Sequence, residues 1–127
     1  MAGKIIADTL EHSTAGSIAT NYVVEGSAKV WANVNASGTP ATQDSNNLSS
    51  ITDTSAGVTT FTFTNGMNDA NYASYGTVRR TDDSNGNPYL TGYHLPTTTT
   101  VRFTIIDFNG TETDSGYISM SILGDLA

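Results

Sequence analysis

Residues 58–64 read VTTFTFT, and this stretch decides the fold. Successive side chains of a β-strand point to opposite faces, so Phe61 and Phe63 share one side while Thr60, Thr62 and Thr64 share the other. The stretch is a strand with one apolar and one polar face. The same period recurs on both sides of it. Residues 101–105 set Val101, Phe103 and Ile105 against Arg102 and Thr104, and Ile118, Met120 and Ile122 repeat the pattern further on. Residues 29–35, KVWANVN, put Val30, Ala32 and Val34 on one face and Trp31, Asn33 and Asn35 on the other. Further strands are predicted over 18–24, 48–52, 71–79 and 89–94, and no segment carries a convincing helical period. The threonines Thr97 to Thr100 read as the start of a strand, because threonine is β-branched. Turn clusters such as 35–38, 82–87 and Asn109-Gly110 separate the strands.

Many short strands with Gly, Asn and Pro between them predict an all-β chain, an antiparallel β-sandwich of jelly-roll-like form over residues 27–127. Residues 1–26 are rich in Thr, Ser, Gly and Ala and read as an extended N-terminal arm. With 127 residues the chain affords one core. Phe61, Phe63, Phe103 and Ile105 are candidates for that core or for a trimer interface. Trp31, the one tryptophan, joins them, because so large a ring on the polar face of its strand needs a partner surface.

Only 13% of the residues are charged, against about 25% in an average globular chain, and Ser, Thr, Asn and Gly make up the difference. The surface is neutral and polar. Twelve acidic and five basic residues give a net charge of -7, which disfavours nucleic acid and anionic lipid. No cysteine is present to form a disulfide or a thiolate metal site. No stretch has the roughly 20 apolar residues that membrane insertion needs, and the Ile5-Ile6-Ala7 patch is too short for a signal peptide.

Individual sites were weighed on their spacing. Asp82, Asp83, Asn85 and Gly86 resemble a calcium loop, but with Gly86 at its sixth position Gly92 falls where the closing carboxylate belongs. A hairpin tip turning at Asn85-Gly86 fits better. Because rigid β scaffolds carry recognition on their loops, Asp82, Asp83, Asn85 and Asn87 form a candidate receptor-contact loop. His12 and His94 lie in no metal-binding spacing and read as an arm residue and a strand-end residue. No GxSxG elbow marks a nucleophile, and nothing selects a pair of carboxylates. Catalytic residues, metal ligands and cofactors are therefore not expected. Tyr72, Tyr75, Tyr89, Tyr93 and Tyr117 lie in or beside strands, where tyrosine commonly serves as half-buried packing and also suits sugar stacking and interfaces.

Three ordered blocks and the closing residues carry a resemblance. They are SAKVWANVNASG (27–38), DSNNLSSITD (44–53), MNDANY (67–72) and SMSILGDLA (119–127). Together they resemble a family of small tail-associated proteins and tail-fibre terminal domains of tailed bacteriophages and prophages. The matching positions include Ala28, Lys29, Trp31, Asn33, Asn35 and Gly38, then Asp44 to Asp53 except Asn46, then Gly57, Thr62 and Phe63, and last Met67, Asp69, Ala70, Asn71 and Tyr72. Val34 and Asn46 stand where that pattern has aromatic residues and Asn68 where it has Pro, while residues 74–115 match no motif. The resemblance implies a homotrimeric virion protein without enzymatic activity, presenting a β-domain on the particle. Exposed sheet edges and apolar strand faces give an independent physical reason to expect association.

These readings lead to a tail-fibre or tail-tip component that binds a host cell-surface glycan or protein and contacts other virion proteins through its arm. Made in the host cytoplasm without a signal peptide, it would reside in the virion. The alternatives are a capsid decoration or head-fibre protein, whose arm grips the shell, and a small polysaccharide depolymerase, which needs two carboxylates about 5 to 9 Å apart.

Overall fold

The computed structural model describes residues 3, 5–79, 90–107, 109–114 and 116–127. In chain order these form β1 (Thr9–His12), β2 (Gly16–Ala19), α1 (Thr20–Gly26), β3 (Ala28–Asn35), β4 (Ala41–Asn46), β5 (Leu48–Ser55), β6 (Val58–Phe63), β7 (Ala73–Arg79), β8 (Leu90–His94), β9 (Thr100–Ile106) and β10 (Tyr117–Leu123). The described residues are all-β apart from that one short helix. β1 and β2 make a two-stranded hairpin, and the other strands make two four-stranded sheets in the orders β4-β3-β10-β7 and β5-β6-β9-β8. Every pairing is antiparallel.

The alternation read from the sequence decides what each sheet buries. In the first sheet Val34 lies opposite Ile118, Ala32 opposite Met120 and Val30 opposite Ile122, and all six are buried. In the second, Phe61 lies opposite Val101, with Phe63, Phe103 and Ile105 beside them in the core. The apolar residues of both sheets meet in one cluster, where the rings of Phe61 and Phe103 pack edge to face at 5.6 Å. Each such side chain removed from water contributes about 1.5 to 3 kcal/mol, which makes this cluster the main source of stability. The edge strands β4 and β5 are mostly exposed and polar, a composition that discourages edge-to-edge pairing.

Specific contacts fix how the sheets join. Gly76 of β7 has no Cβ, and the Phe103 ring from the other sheet fills the space; a Cβ there would stand 2.5 Å from Phe103 Cε1. Asn47, between β4 and β5, adopts a left-handed backbone with φ 57°. Its Oδ1 accepts the Asn65 N–H at 2.7 Å and its Nδ2 donates to the Asn65 carbonyl at 3.0 Å. Tyr72 packs on Phe63 and its hydroxyl reaches the carbonyls of Thr100 at 2.9 Å and Thr97 at 3.1 Å. The loop around Met67 pairs with the last residues through the Met67–Leu126 bridge and the Asn68 N–H to Asp125 carbonyl bond. The MNDANY and LGDLA blocks are thus neighbours in space.

Three expectations are corrected. The strand expected over 18–24 ends at Ala19 and 20–26 is helical; the Thr20 N–H still bonds the Asp8 carbonyl in the β1–β2 register and its hydroxyl bonds the Ala7 carbonyl, and the helix starts from that anchored residue. The segment 1–26 is consequently not one extended arm but a hairpin followed by a helix. Thr97–Thr99 precede the strand as a turn, in which the Thr97 hydroxyl accepts the N–H groups of Thr99 and Thr100, and β9 begins at Thr100.

Candidate binding face

Trp31 stands opposite in parity to Val30 and Ala32 on β3, and its ring consequently leaves the core. It keeps 38% of its surface exposed, so within one chain it is not a core residue, unlike Phe61, Phe63, Phe103 and Ile105. Strand pairing supplies its neighbours. Trp31 lies opposite Ser121 of β10, and Ser121 lies opposite Tyr75 of β7, with Asn46 of β4 on the other side of Trp31. Trp31 and Tyr75 therefore share one row, two strands apart, which at ordinary interstrand spacing is about 10 Å. Tyr75 is 60% exposed.

Two further rows extend this outer face. Asp44, Asn33, Ser119 and Thr77 form the next, and Ala41, Asn35, Tyr117 and Arg79 the one after it. The Arg79 guanidinium carbon sits 4.2 Å from the Tyr117 ring centroid, a cation–π contact that holds the ring at the rim. A shallow, open depression of about 200 Å³ lies beside Tyr75, lined by Gly76, Thr77, Ser119, Met120 and Ser121. The charged groups near the face are engaged at its margins: the Lys29 ammonium donates to the Val24 and Ser27 carbonyls, and Asp44 accepts the Ser45 N–H. The centre of the face carries Ser119, Ser121 and Asn33, with the Asn33 Oδ1 buried, the surface in the depression is mostly apolar, and an aromatic ring stands on either side of Ser121.

A second exposed feature belongs to the N-terminal segment. Ile5, Ile6, Leu10, Val23 and Val24 line an open apolar groove, with Ile5 91% and Ile6 82% exposed. No residue of α1 is buried.

Other polar side chains have structural work, while that of His94 lies outside the described residues. His12 Nδ1 accepts the N–H groups of Thr14 and Ala15 and closes the β1–β2 turn. Asp69, Asp107 and Asp114 each accept backbone N–H bonds, from Asn71, from Asn109 and Thr111, and from Gly57 respectively. Among the described residues no group of three or more His, Cys, Asp or Glu side chains is placed to hold a metal ion, and no helix is long and apolar enough to cross a membrane. The loop residues Asp82, Asp83, Asn85 and Asn87 lie outside the described residues. Sequence reasoning marked Trp31 and Tyr75 separately but missed that they share a face with Ser119 and Ser121. Periodicity assigns a face to each residue and says nothing of which strands are neighbours.

Fold and face together define an all-β protein with a neutral, aromatic-flanked sheet surface and an apolar N-terminal segment. Comparison with protein-family models, with curated proteins and with solved structures gave no match.

Proposed function

We propose that this chain is a non-enzymatic structural protein of a bacteriophage particle, a tail-fibre or tail-tip component that displays its β-body for attachment to the host surface. In this reading the two sheets pack as a β-sandwich. Three sequence-adjacent hairpins inside the sheets, β3–β4, β5–β6 and β8–β9, favour a hairpin-and-crossover form over a jelly-roll-like one. The observation that carries the reading is the contrast between the two parts of the chain. On the body the exposed large apolar side chains, Trp31, Tyr75, Leu95 and Leu126, come from separate segments, whereas the short N-terminal segment exposes Ile5, Ile6, Leu10, Ile18, Tyr22, Val23 and Val24. Contiguous exposed apolar side chains mark association sites, so residues 1–26 serve to trimerise the chain or to dock it on neighbouring virion proteins. The resemblance of the 27–38, 44–53 and 67–72 blocks to tail-associated proteins supports the same assignment.

Labelling of intact particles with an antibody against the body, read by electron microscopy, is the test. Label at the tail is the expected result. Label over the head would replace the tail assignment with capsid decoration or a head fibre, and unlabelled particles would remove the virion reading altogether. The depolymerase alternative predicts shortening of host polysaccharide by the purified protein, and constant chain length removes it.

A further inference from the structure

We propose that the outer face of the β4-β3-β10-β7 sheet is a binding site for a neutral hexose polysaccharide, with Trp31 and Tyr75 as its two stacking platforms. This deepens the attachment reading above and rests on it for the place where such a glycan is met.

One face of a pyranose ring is a patch of C–H groups and its rim is a ring of hydroxyls. An aromatic side chain covers the first and leaves the rim free for hydrogen bonds. Trp31 and Tyr75 are exposed aromatic residues held on either side of Ser121 in one row. Their separation of about 10 Å, two interstrand steps, is close to the repeat of two hexoses in an extended glycan. Sugars n and n+2 then stack while sugar n+1 lies over Ser121. Of the polar groups along the floor, the hydroxyls of the exposed Ser119 and Thr77 can both donate and accept, as sugar hydroxyls do, while the Asn33 Oδ1 is buried. The depression beside Tyr75 has room for a ring edge.

Charge and composition decide among occupants. The centre of the face has no free charge, and the chain as a whole carries -7, which disfavours acidic glycans and nucleic acid. A second copy of the chain is a poorer fit, since the buried centre of a homomeric interface is a continuous patch about 65% apolar and here the two rings stand apart on either side of Ser121.

Purified full-length protein is titrated with maltohexaose, cellohexaose and mannohexaose, with an oligogalacturonate as the acidic counterpart. Binding is read by calorimetry and by the emission of Trp31, the one tryptophan. The expected result is saturable binding of at least one neutral hexasaccharide with a shift in Trp31 emission. Tyr75→Ala and Trp31→Phe should each weaken binding, Tyr75→Ala by about tenfold, the size of one aromatic stacking contact, without changing the melting temperature. No saturable binding of any neutral hexasaccharide, tighter binding of the acidic oligomer, or wild-type affinity in Tyr75→Ala overturns the proposal. A fall in the number of associated chains in Tyr75→Ala also overturns it, because the face is then an interface between copies. Sugar binding by the protein together with unlabelled particles would end the virion reading and leave this one standing. Labelled particles without sugar binding would do the reverse.

Discussion

At Gly76 the absence of one methyl group lets the Phe103 ring of the opposite sheet lie against the β7 backbone. Gly76→Ala forces that ring, or the strand, to move. The expected loss is about 1 to 3 kcal/mol, the usual cost of overpacking a filled core, measured as a lower urea midpoint at constant slope. Phe103→Leu in the same background should recover part of the loss, because the two positions share one space. An alanine variant as stable as the wild type would mean that the ring has somewhere else to go. Thr104 works in the opposite direction. Its Oγ1 is buried with no hydrogen-bond partner among the described residues, so the hydroxyl carries a desolvation cost that nothing offsets. Thr104→Val keeps the shape and removes the polar atom. Its midpoint should rise by the equivalent of about 1 kcal/mol, and an unchanged or lower midpoint would show that the hydroxyl is satisfied in solution.

Between elements, the passage from β4 to β5 turns on Asn47, which combines a left-handed backbone with side-chain bonds to Asn65. Asparagine tolerates that backbone better than other non-glycine residues. Asn47→Ala loses both advantages and Asn47→Gly only the side-chain bonds. Alanine should therefore cost about 2 kcal/mol and glycine about 1, an order that thermal melting of the two variants reads directly. Equal costs would place the whole effect in the side chain. The same element shows what was legible in the sequence. The strands β3, β6, β9 and β10 announce themselves because each alternates apolar and polar residues over a core. β4, ATQDSN, has no apolar alternation to read, since as an exposed edge strand it buries almost nothing. α1, TNYVVEG, carries two β-branched valines and no capping side chain, so its local preference points to a strand, and its first residue, Thr20, is still bonded to Asp8 and Ala7 along the hairpin. The candidate face was half legible. Alternation puts Trp31 outward, but its meeting with Tyr75 depends on β10 inserting between β3 and β7, a long-range pairing with no local signal.

At the scale of the whole molecule the N-terminal segment and the body are stabilised differently. The core cluster draws no member from the described residues of the segment 1–26. The hairpin pairs Leu10 with Ile18 while both remain exposed. A seven-residue helix is well below the length of about 12 to 15 residues at which an isolated helix begins to persist in water, and none of the residues of α1 is buried. The trimer reading provides packing for it, with Ile5, Ile6, Val23 and Val24 of neighbouring chains covering one another. Replacing Ile6 and Val24 by aspartate then attacks association and leaves the body intact. If each of these side chains contributes about 2 kcal/mol on burial, the pair should weaken association by about a thousandfold. Light scattering over a range of protein concentrations should find trimers in the wild type and single chains in the double variant, with the body's thermal transition, recorded on dissociated chains, unchanged. A wild type that stays monomeric at every concentration would sink the trimer and leave the segment to a different virion partner. A double variant whose body melts early would show that the segment packs on the core.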